Sequence, residues 1–251
     1  MLVVVMSDEQ VPFQDDRAIA VVHKYIRDVQ PDVIIHNGDL LDFPGLTTKF
    51  ARKQANRGTL RSELDTAIGI LKTERLYAPK AKIIVLEGNH EDRVRVLVEE
   101  RADGLEPLLA GELSLARLLT AAELGVEVVG GYQNGTAYWE HNGLVVTHGS
   151  SSAKNAAEVM LNQEGSVVFG HTHHEALFAR TNRDGPHKAW GFGCLCNVSG
   201  PNTPPRSGHS TVVNWQQGFG IIRFGRRCYN VYPIGITNGG FVSPEGKEYV
   251  S

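Results

Sequence analysis

Five apolar runs, each followed at once by a polar segment, constrain the fold of this chain more than any other feature. The runs are short, uncharged and rich in β-branched residues, which is typical of buried strands. They cover residues 2–6, 33–35, 83–86, 144–146 and 166–169. Because parallel strands end at the same edge of a sheet, we expect the polar segments that follow them to converge there.

The polar segments carry carboxylates, a carboxamide and imidazoles. These are the oxygen and nitrogen donors that divalent metal ions take from proteins. In chain order the segments are Asp8-Glu9-Gln10, Gly38-Asp39, Gly88-Asn89-His90-Glu91, His148-Gly149 and Gly170-His171-Thr172-His173. A single Gly-Asp or His-Gly pair carries no information, but five such segments at five strand ends predict a divalent-metal site.

The order and spacing of these segments resemble the calcineurin-like metallophosphoesterase superfamily over most of residues 2–175. The resemblance implies an α/β fold with two packed mixed β-sheets flanked by helices, an αββα sandwich. It also implies two divalent metal ions, with manganese favoured and magnesium, iron or zinc as alternatives. Such a metal pair activates water and stabilises the charged oxygens of a phosphoester.

The resemblance also divides the expected ligands between the two ions. A Gly-Asp carboxylate bridges the ions in the family, and here that residue is Asp39. The remaining ligands are Asp8, Gln10 and His173 for the first ion, and Asn89, His148 and His171 for the second. His171 and His173 are two residues apart, and a turn between them would allow one short segment to serve both ions.

His90 is the expected catalytic residue. It lies beside a ligand without being one, so its imidazole could donate a proton to the leaving oxygen or bind the phosphate. Asp42, three residues after the bridging carboxylate, is expected to orient that imidazole. Glu91 stands where the family often has Asp, and we expect it to have a structural role.

Gln10 is the clear departure from the family pattern, which usually has His two residues after the first Asp. A neutral amide is a weaker ligand than imidazole for manganese, iron or zinc. The first ion is therefore expected to be held more weakly than the second, or to be a harder ion such as magnesium or manganese.

The order of apolar runs predicts a first half of alternating strands and helices. Strands are expected at 2–6, 32–36 and 82–86, and helices at 16–29 and 59–77. The second half favours a second, mixed sheet, interrupted by a helix at about 153–162. Its predicted strands are 126–130, 136–140, 144–147, 166–170, 188–196, 211–215, 219–224 and 228–234. We expect one domain over 1–251, with a mobile, glycine-rich tail from about 238.

Composition narrows the setting in which the protein acts. A net charge of −3 provides no global attraction to nucleic acid. The three cysteines, Cys194, Cys196 and Cys228, make no disulfide framework and suit a reducing cytosol. Cys194-x-Cys196 resembles half of a metal site, but partner cysteines are missing. No apolar run is long enough to span a membrane, so we expect a cytoplasmic protein with no membrane association.

Two further segments could contact a substrate. Arg206 and His209 lie in a loop rich in Gly, Pro and Ser that could reach the site. Residues 49–75 carry seven basic and three acidic side chains just after the Asp39 turn. If that segment faces the cleft, it would favour nucleic acid or a substrate with several phosphates, whereas a solvated helix face is the alternative explanation.

The sequence therefore predicts a metal-dependent phosphoester hydrolase. A phosphodiesterase acting on nucleotides or nucleic acid is the leading hypothesis, and a phosphomonoesterase is the alternative within the same class. A catalytically inactive binding protein on the same fold is the rival from another class, but such proteins usually lose several ligands and the catalytic His. The sequence gives no information on oligomeric state.

Overall fold

The computed structural model describes residues 1–46, 59–102, 104–105, 109, 111–204 and 213–251. The α-helices of these residues are α1 Asp16–Val29, α2 Leu60–Tyr77, α3 Arg93–Arg101, α4 Leu115–Leu118, α5 Ala121–Leu124 and α6 Ala156–Glu164. The strands are β1 Leu2–Met6, β2 Val33–Asn37, β3 Lys82–Leu86, β4 Val126–Val129, β5 Tyr138–His141, β6 Leu144–Thr147, β7 Val167–Phe169, β8 Ala176–Asn182, β9 Gly185–Gly191, β10 Gly218–Phe224, β11 Tyr229–Gly235, β12 Gly240–Val242 and β13 Glu248–Val250.

Two mixed sheets form the body of the described structure. The first has the strand order β11-β10-β1-β2-β3-β4, and the second has the order β5-β6-β7-β9-β8. Strands β1 to β4 are parallel, while β10 pairs antiparallel with β1. The expected pair of mixed sheets is confirmed, but β4, β10 and β11 belong to the first sheet rather than to the second.

Apolar side chains form three clusters between the layers of the fold, which explains why the strands are apolar along their whole length. Val3 and Val5 of β1 point into a core between the two sheets, where they meet side chains such as Val146 and Phe192. Val4 and its neighbours on the other face pack against α1 and α2. A third cluster lies between the second sheet and α6. The layers are therefore helix, sheet, sheet, helix.

The main helices begin at residues suited to that position. The Asp15 side chain accepts hydrogen bonds from the backbone N–H groups of Arg17 and Ala18 at the start of α1. Thr59 caps α2 by accepting from the backbone N–H of Ser62. None of the helices in the described parts of the chain is both long and apolar enough to cross a membrane.

Three local expectations differ from the structure. The strand expected at 188–196 ends at Gly191, because the next residues leave the sheet and bond to the loop after β1. Residues 213–215, expected within a strand, lie outside any strand, while 211–212 are not described. Strand β8, which follows the histidine-rich segment, was not expected because its alternating residues are mostly exposed.

The tail expected to be mobile forms a hairpin instead. Strands β12 and β13 pair antiparallel, with Phe241 opposite Tyr249. Both aromatic rings are buried and pack against Tyr25 of α1, with ring centroids 5.9 and 5.4 Å away. Burial of two aromatic side chains offsets the entropy of ordering a glycine-rich segment, which composition alone does not reveal.

Candidate functional site

The polar segments do converge at one edge of the structure. Strands β1, β2 and β3 are adjacent and parallel, and their carboxyl ends lead to Asp8, Asp39 and Asn89. In the second sheet, the ends of the parallel strands β6 and β7 lead to His148 and His171. The sheets pack face to face, so both sets of loops lie at the same rim.

Most of the expected ligands have a backbone conformation that residues other than glycine rarely adopt. The φ angles of five of them are positive: Asp8 54°, Gln10 49°, Asp39 54°, His171 65° and His173 57°. Such a conformation costs on the order of 1–3 kcal/mol and persists where surrounding structure enforces it, often at functional sites. It also turns the chain at every second residue, so that residues two apart reach the same region.

Glycines beside the ligands allow the loops to approach closely. A methyl group added at Gly170 would lie 2.6 Å from Asp8 Oδ2, and one at Gly88 would overlap Asp39 Oδ1. No larger residue fits at either position without moving a carboxylate. The Gly-Asn and Gly-His pairs of the sequence are therefore required by the close packing of separate loops.

Four side chains form a group that we call the Asp39 cluster: Asp39, Asn89, His148 and His171. Asn89 Oδ1 lies 3.0 Å from His148 Nε2 and 2.8 Å from His171 Nδ1. His148 Nε2 lies 3.3 Å from Asp39 Oδ2 and 3.2 Å from His171 Nδ1. Two imidazole nitrogens, an amide oxygen and a carboxylate oxygen thus face one another within the span of a single coordination sphere.

The orientation of the His148 ring is fixed by a hydrogen bond on the side away from the Asp39 cluster. Its Nδ1 lies 2.9 Å from the backbone carbonyl oxygen of Asn37, so this nitrogen donates and Nε2 faces the cluster. Burial lowers the pKa of His148, but the Asp39 carboxylate more than compensates and raises it to about 9. For His171, burial and the neighbouring His148 lower the pKa to about 4. A cation in the cluster would displace the proton that the Asp39 charge attracts.

Asp8, Gln10 and His173 form a second group, the Asp8 cluster. His173 Nε2 lies 3.1 Å from Asp8 Oδ1 and 3.2 Å from Gln10 Nε2. The two clusters are linked, because the backbone N–H of His171 donates to Asp8 Oδ2 over 3.0 Å. Burial lowers the pKa of His173, but Asp8 outweighs this effect and holds it well above its usual value.

Unpaired polar atoms indicate that the Asp8 cluster fits a cation. Asp8 Oδ1 and Gln10 Oε1 are buried, and neither has a hydrogen-bond partner of acceptable geometry. Buried acceptors without donors are costly unless a cation or an ordered water satisfies them. The donor sets of both clusters, carboxylate, amide and imidazole, therefore suit the two divalent ions that the sequence implies.

His90 lies next to the Asp39 cluster and is paired on its far side. Its Nδ1 is 2.6 Å from Asp42 Oδ1, and its Nε2 is 3.6 Å from Asp39 Oδ2. Arg93 supports Asp42: its Nη1 donates to the Asp42 backbone carbonyl and lies 3.7 Å from Asp42 Oδ2. The pairing of His90 with Asp42 was predicted from the sequence. The contact of Arg93, three residues after His90, with Asp42 was not.

Glu91 holds two of the loops together. Its carboxylate accepts hydrogen bonds from the backbone N–H groups of Gly88 (2.9 Å), Asp39 (3.0 Å) and Leu41 (2.8 Å). Burial and the nearby Asp39 charge raise the pKa of Glu91 to about 7. The loops after β2 and β3 are thus fastened to one side chain, which agrees with the structural role expected for Glu91.

A chain of buried ionisable residues lies behind the Asp8 cluster, and no sequence pattern predicts it. His36 Nδ1 is 2.8 Å from Glu9 Oε1, and its Nε2 is 2.8 Å from Glu74 Oε2. Glu74 Oε1 is 3.2 Å from His23 Nε2. Burial lowers the pKa of His36, but the Glu74 and Glu9 charges raise it to about 10. Burial raises the pKa of Glu74, and His36 with His23 lowers it to about 2.

Other residues at the site were also missed by sequence reasoning. The ring centroid of Trp215 lies 4.2 Å from that of His173, and Tyr132 lies 5.8 Å from His148. Cys194 and Cys196 are fully buried beside His173, where the sequence analysis had looked for partner cysteines rather than an imidazole. These contacts join segments far apart in the chain, and no local pattern signals them.

Two expected substrate contacts cannot be placed. Arg206 and His209 lie outside the described residues, as do residues 49–58 of the basic segment. The described part of that segment belongs to α2. There Arg61 pairs with Asp65, and Arg75 donates to backbone carbonyls including that of Leu124. For this part, the solvated helix face is the better explanation.

Comparisons with known proteins agree with this geometry. A model of the family described as calcineurin-like phosphoesterase matches residues 1–175. The chain is also similar to the Gene 54 protein of Mycobacterium phage D29, with 29% identity over 234 residues, which are 88% of each chain. The Gene 54 protein of Mycobacterium phage L5 is 28% identical over 232 residues, again 88% of each chain.

Solved structures with low sequence identity align over most of this chain. Vps29 from Entamoeba histolytica, complexed with zinc, has 13% identity and a TM-score of 0.48, with 96% of each chain covered. An archaeal phosphodiesterase has 15% identity and a TM-score of 0.46, with 93% of this chain and 99% of the other covered.

Proposed function

Because the chain belongs to the calcineurin-like phosphoesterase family, we propose that it hydrolyses phosphoesters with two divalent cations. The observation that carries the proposal is that His90, held by Asp42, faces a cluster of metal-ligand side chains at the rim. An inactive scaffold has no need of a paired imidazole beside such a cluster. We assign Asp39 as the shared ligand, with manganese as the favoured metal.

The two clusters would hold the cations, one in each. When bound, a pair of divalent cations activates water and neutralises the charge on the phosphoryl oxygens. The first would be held by Asp8, Gln10, His173 and Asp39, and the second by Asn89, His148, His171 and Asp39. Glu91 and the Asn37 carbonyl keep these ligands in place before substrate arrives.

His90 acts as the general acid in this proposal. Asp42, 2.6 Å from Nδ1, fixes the orientation of the ring and directs Nε2 towards the cluster. From there Nε2 donates its proton to the leaving alkoxide as the phosphorus–oxygen bond breaks. Arg93 is bonded to Asp42 and fixes that carboxylate in turn. The roles of His90, Asp42 and Arg93 are therefore acid, orienting carboxylate and support.

The charge around the site favours a diester over a monoester. A monoester carries close to two negative charges, and a diester carries one. In the described part of the chain, Arg93 is the arginine that reaches this site, and its guanidinium is engaged by Asp42. Because the described residues bring few free side-chain cations to the site to balance a dianion, a singly charged diester suits it better.

Half-buried aromatic rings beside both clusters support a nucleotide or nucleic-acid substrate. Trp215 lies against His173, and Tyr132 lies against His148. Aromatic side chains next to a phosphate site can stack on bases, which contributes about 1–3 kcal/mol per base. We therefore favour nucleotides or single-stranded nucleic acid as the natural class of diester.

One panel of assays tests the proposal. Purified protein is supplied in turn with manganese, magnesium, iron or zinc. The substrates are bis-p-nitrophenyl phosphate, p-nitrophenyl phosphate, cyclic nucleotides and single-stranded DNA. We expect bis-p-nitrophenyl phosphate and at least one nucleotide substrate to be cleaved, with the His90→Ala protein as the control for contaminating hydrolases.

The other outcomes of the panel identify the alternatives. Faster turnover of p-nitrophenyl phosphate than of its diester would favour the phosphomonoesterase. No turnover with any metal, by protein that binds two cations, would favour the inactive binding protein. Equal activity of wild type and His90→Ala would remove the assigned role of His90.

A further inference from the structure

Two buried cysteines lie against the loop that carries the Asp8 cluster. The backbone N–H of Leu195, between them, donates to the carbonyl oxygens of Ser7 and Asp8 over 3.0 and 3.3 Å. On the other side, the N–H of Cys194 donates to the carbonyl of Gln216 over 2.9 Å. Both thiols are fully buried and neither is in a disulfide. The cysteine pair is therefore held rigidly at the metal rim.

The positions of the sulfur atoms suit a metal ion. Cys194 Sγ, Cys196 Sγ and a ring nitrogen of His173 all lie within 4.8 Å of one another. Cys196 Sγ is 3.9 Å from His173 Nδ1. In a tetrahedral zinc site, bonds of about 2.3 Å to sulfur and 2.0 Å to nitrogen place those two atoms about 3.5 Å apart. For the Cys196–His173 pair, a shift of a few tenths of an ångström would give the spacing of a zinc site.

The sulfur atoms and the Asp8 cluster lie on opposite sides of one imidazole ring. His173 Nε2 faces Asp8 and Gln10, whereas Nδ1 faces Cys196. A neutral imidazole has a single nitrogen lone pair to offer, so it serves one ion at a time. The Asp8 cluster and the cysteine pair therefore share His173 as a ligand.

We propose that Cys194, Cys196 and His173 form a zinc-binding site of thiolate type, distinct from the oxygen-rich Asp8 cluster. Zinc binding releases the two thiol protons to water and recruits Nδ1 of His173. Thiolate donors favour zinc over manganese or magnesium, so the site discriminates between metals by softness. The additional claim that zinc here withdraws His173 from the first ion rests on the proposed function.

Cobalt binding without substrate tests the site directly. Metal-free protein is titrated with Co²⁺, whose thiolate complexes show an intense sulfur-to-metal charge-transfer band in the near ultraviolet. We expect the band in wild type and in Cys228→Ser, since Cys228 is exposed and distant from the cluster. Cys194→Ser and Cys196→Ser should each weaken it, and the double variant should lose it. A wild-type protein that binds Co²⁺ without the band would overturn the proposal.

Zinc affinity gives a second, independent measurement. Competition with a chromophoric chelator should show that each serine variant loses more than about tenfold in zinc affinity, since even supporting contacts contribute that much. Cys194→Ala and Cys196→Ala, checked by circular dichroism and thermal unfolding, control for misfolding. Unchanged affinity in folded variants would contradict the proposal.

Competition between metals tests the sharing of His173. Bound Mn²⁺, followed by electron paramagnetic resonance, should be partly released when zinc is added to wild type or Cys228→Ser. Folded Cys194→Ser should retain more Mn²⁺ at the same zinc concentration, and equal release would refute the sharing. None of these measurements requires turnover, so a protein with the cobalt band and no hydrolysis would disprove only the proposed function.

Discussion

The two halves of the metal rim are built from different donors. The Asp39 cluster has two imidazoles, an amide and a carboxylate that are linked by contacts of 2.8–3.3 Å. The Asp8 cluster has one imidazole, one carboxylate and the amide of Gln10, with two thiols behind the imidazole. The first half combines two imidazoles with two oxygen donors, whereas the second depends on a single histidine. Two sites in one rim can therefore have different metal preferences.

The halves are also fastened in different ways. Glu91 accepts three backbone N–H bonds and so ties the loops of the Asp39 cluster directly to each other. The loop of the Asp8 cluster is instead fastened through Glu9 to His36 and Glu74, a relay of buried charges. The first fastening is one carboxylate that accepts from backbone N–H groups, and the second adds a relay of buried carboxylates and imidazoles to the backbone bonds from Leu195 to Ser7 and Asp8. Both fastenings contain ionisable side chains, since burial and the Asp39 charge raise the pKa of Glu91 to about 7.

The largest effect is expected where the two halves meet. Asp39→Asn should abolish turnover and lower metal content in both clusters, since a neutral amide cannot balance two dications. Elemental analysis and the hydrolysis assay measure the two effects. Asp184→Asn, an exposed aspartate in the hairpin between β8 and β9, is the matched control. Near wild-type activity in Asp39→Asn would refute the shared-ligand assignment.

A smaller effect is expected when the catalytic imidazole is removed and the metal ligands of both clusters are retained. His90→Ala is expected to lower kcat by about 10²-fold or more, the usual contribution of general acid catalysis. Metal content should remain near that of wild type. Asp42→Asn should give a weaker loss and an altered pH–rate profile, because the acid remains but its orientation is relaxed. If His90→Ala loses metal instead, His90 is a ligand.

Replacement of the Gln10 amide by an imidazole should make the Asp8 cluster bind metal more like the Asp39 cluster. Gln10→His adds an imidazole to the Asp8 cluster and should lower the manganese concentration needed for activity by about tenfold, a typical gain for one well-placed metal contact. Activity and metal stoichiometry against added manganese measure this for both proteins. If wild type already holds two ions tightly and the substitution changes neither curve, Gln10 does not contact the metal.

The smallest effect on turnover is expected from the charge relay behind the Asp8 cluster, which contributes to stability rather than to chemistry. Folding lowers the pKa of Glu74 to about 2, so its stabilising contribution is present above the usual value and lost as pH falls from about 4.5 towards 2. The raised pKa of His36 acts oppositely: its contribution is present below about 6.5 and lost as pH rises through about 10. Both contributions are therefore complete only between about pH 4.5 and about pH 6.5.

Glu74→Gln isolates one end of that relay. In chelator, urea unfolding should show the variant to be less stable than wild type at pH 6, by roughly the 3–5 kcal/mol of a broken buried pair. The difference should shrink as pH falls below about 4.5, because Glu74 of the unfolded wild-type chain then takes up a proton while folded Glu74 stays ionised until about pH 2. A difference independent of pH would show that packing, rather than charge, accounts for the effect.

The sequence predicted the parts of the site that depend on local order. Apolar runs locate the strands, and their parallel packing brings the ends that carry Asp8, Asp39 and Asn89 together. The pairing of His90 with Asp42 was also anticipated, because both lie a few residues from the same rim. Periodicity and spacing are sufficient here, since each strand delivers its next residues to a fixed place.

Other features depend on contacts that no local pattern encodes. Gly191 ends a strand expected to run to 196, because backbone groups of the next residues bond to the loop after β1. The contact of Cys196 with His173 and the burial of Phe241 arise from packing between distant segments. The positive φ angles of the ligands oppose intrinsic propensity and are imposed by tertiary structure.

The pairing of β1 with β10 determines when this protein can finish folding during its synthesis. Leu2 lies opposite Arg223, so β1 is synthesised long before β10, one of the two strands that pair with it. A nascent chain halted after residue 175 would contain every ligand of the Asp39 and Asp8 clusters but lack both β10 and Leu195, which bonds to the Asp8 loop. Hydrogen exchange on such a chain should show β1 unprotected along one side. The ligands of both clusters are therefore synthesised long before β10 and Leu195, whose backbone groups help to hold them.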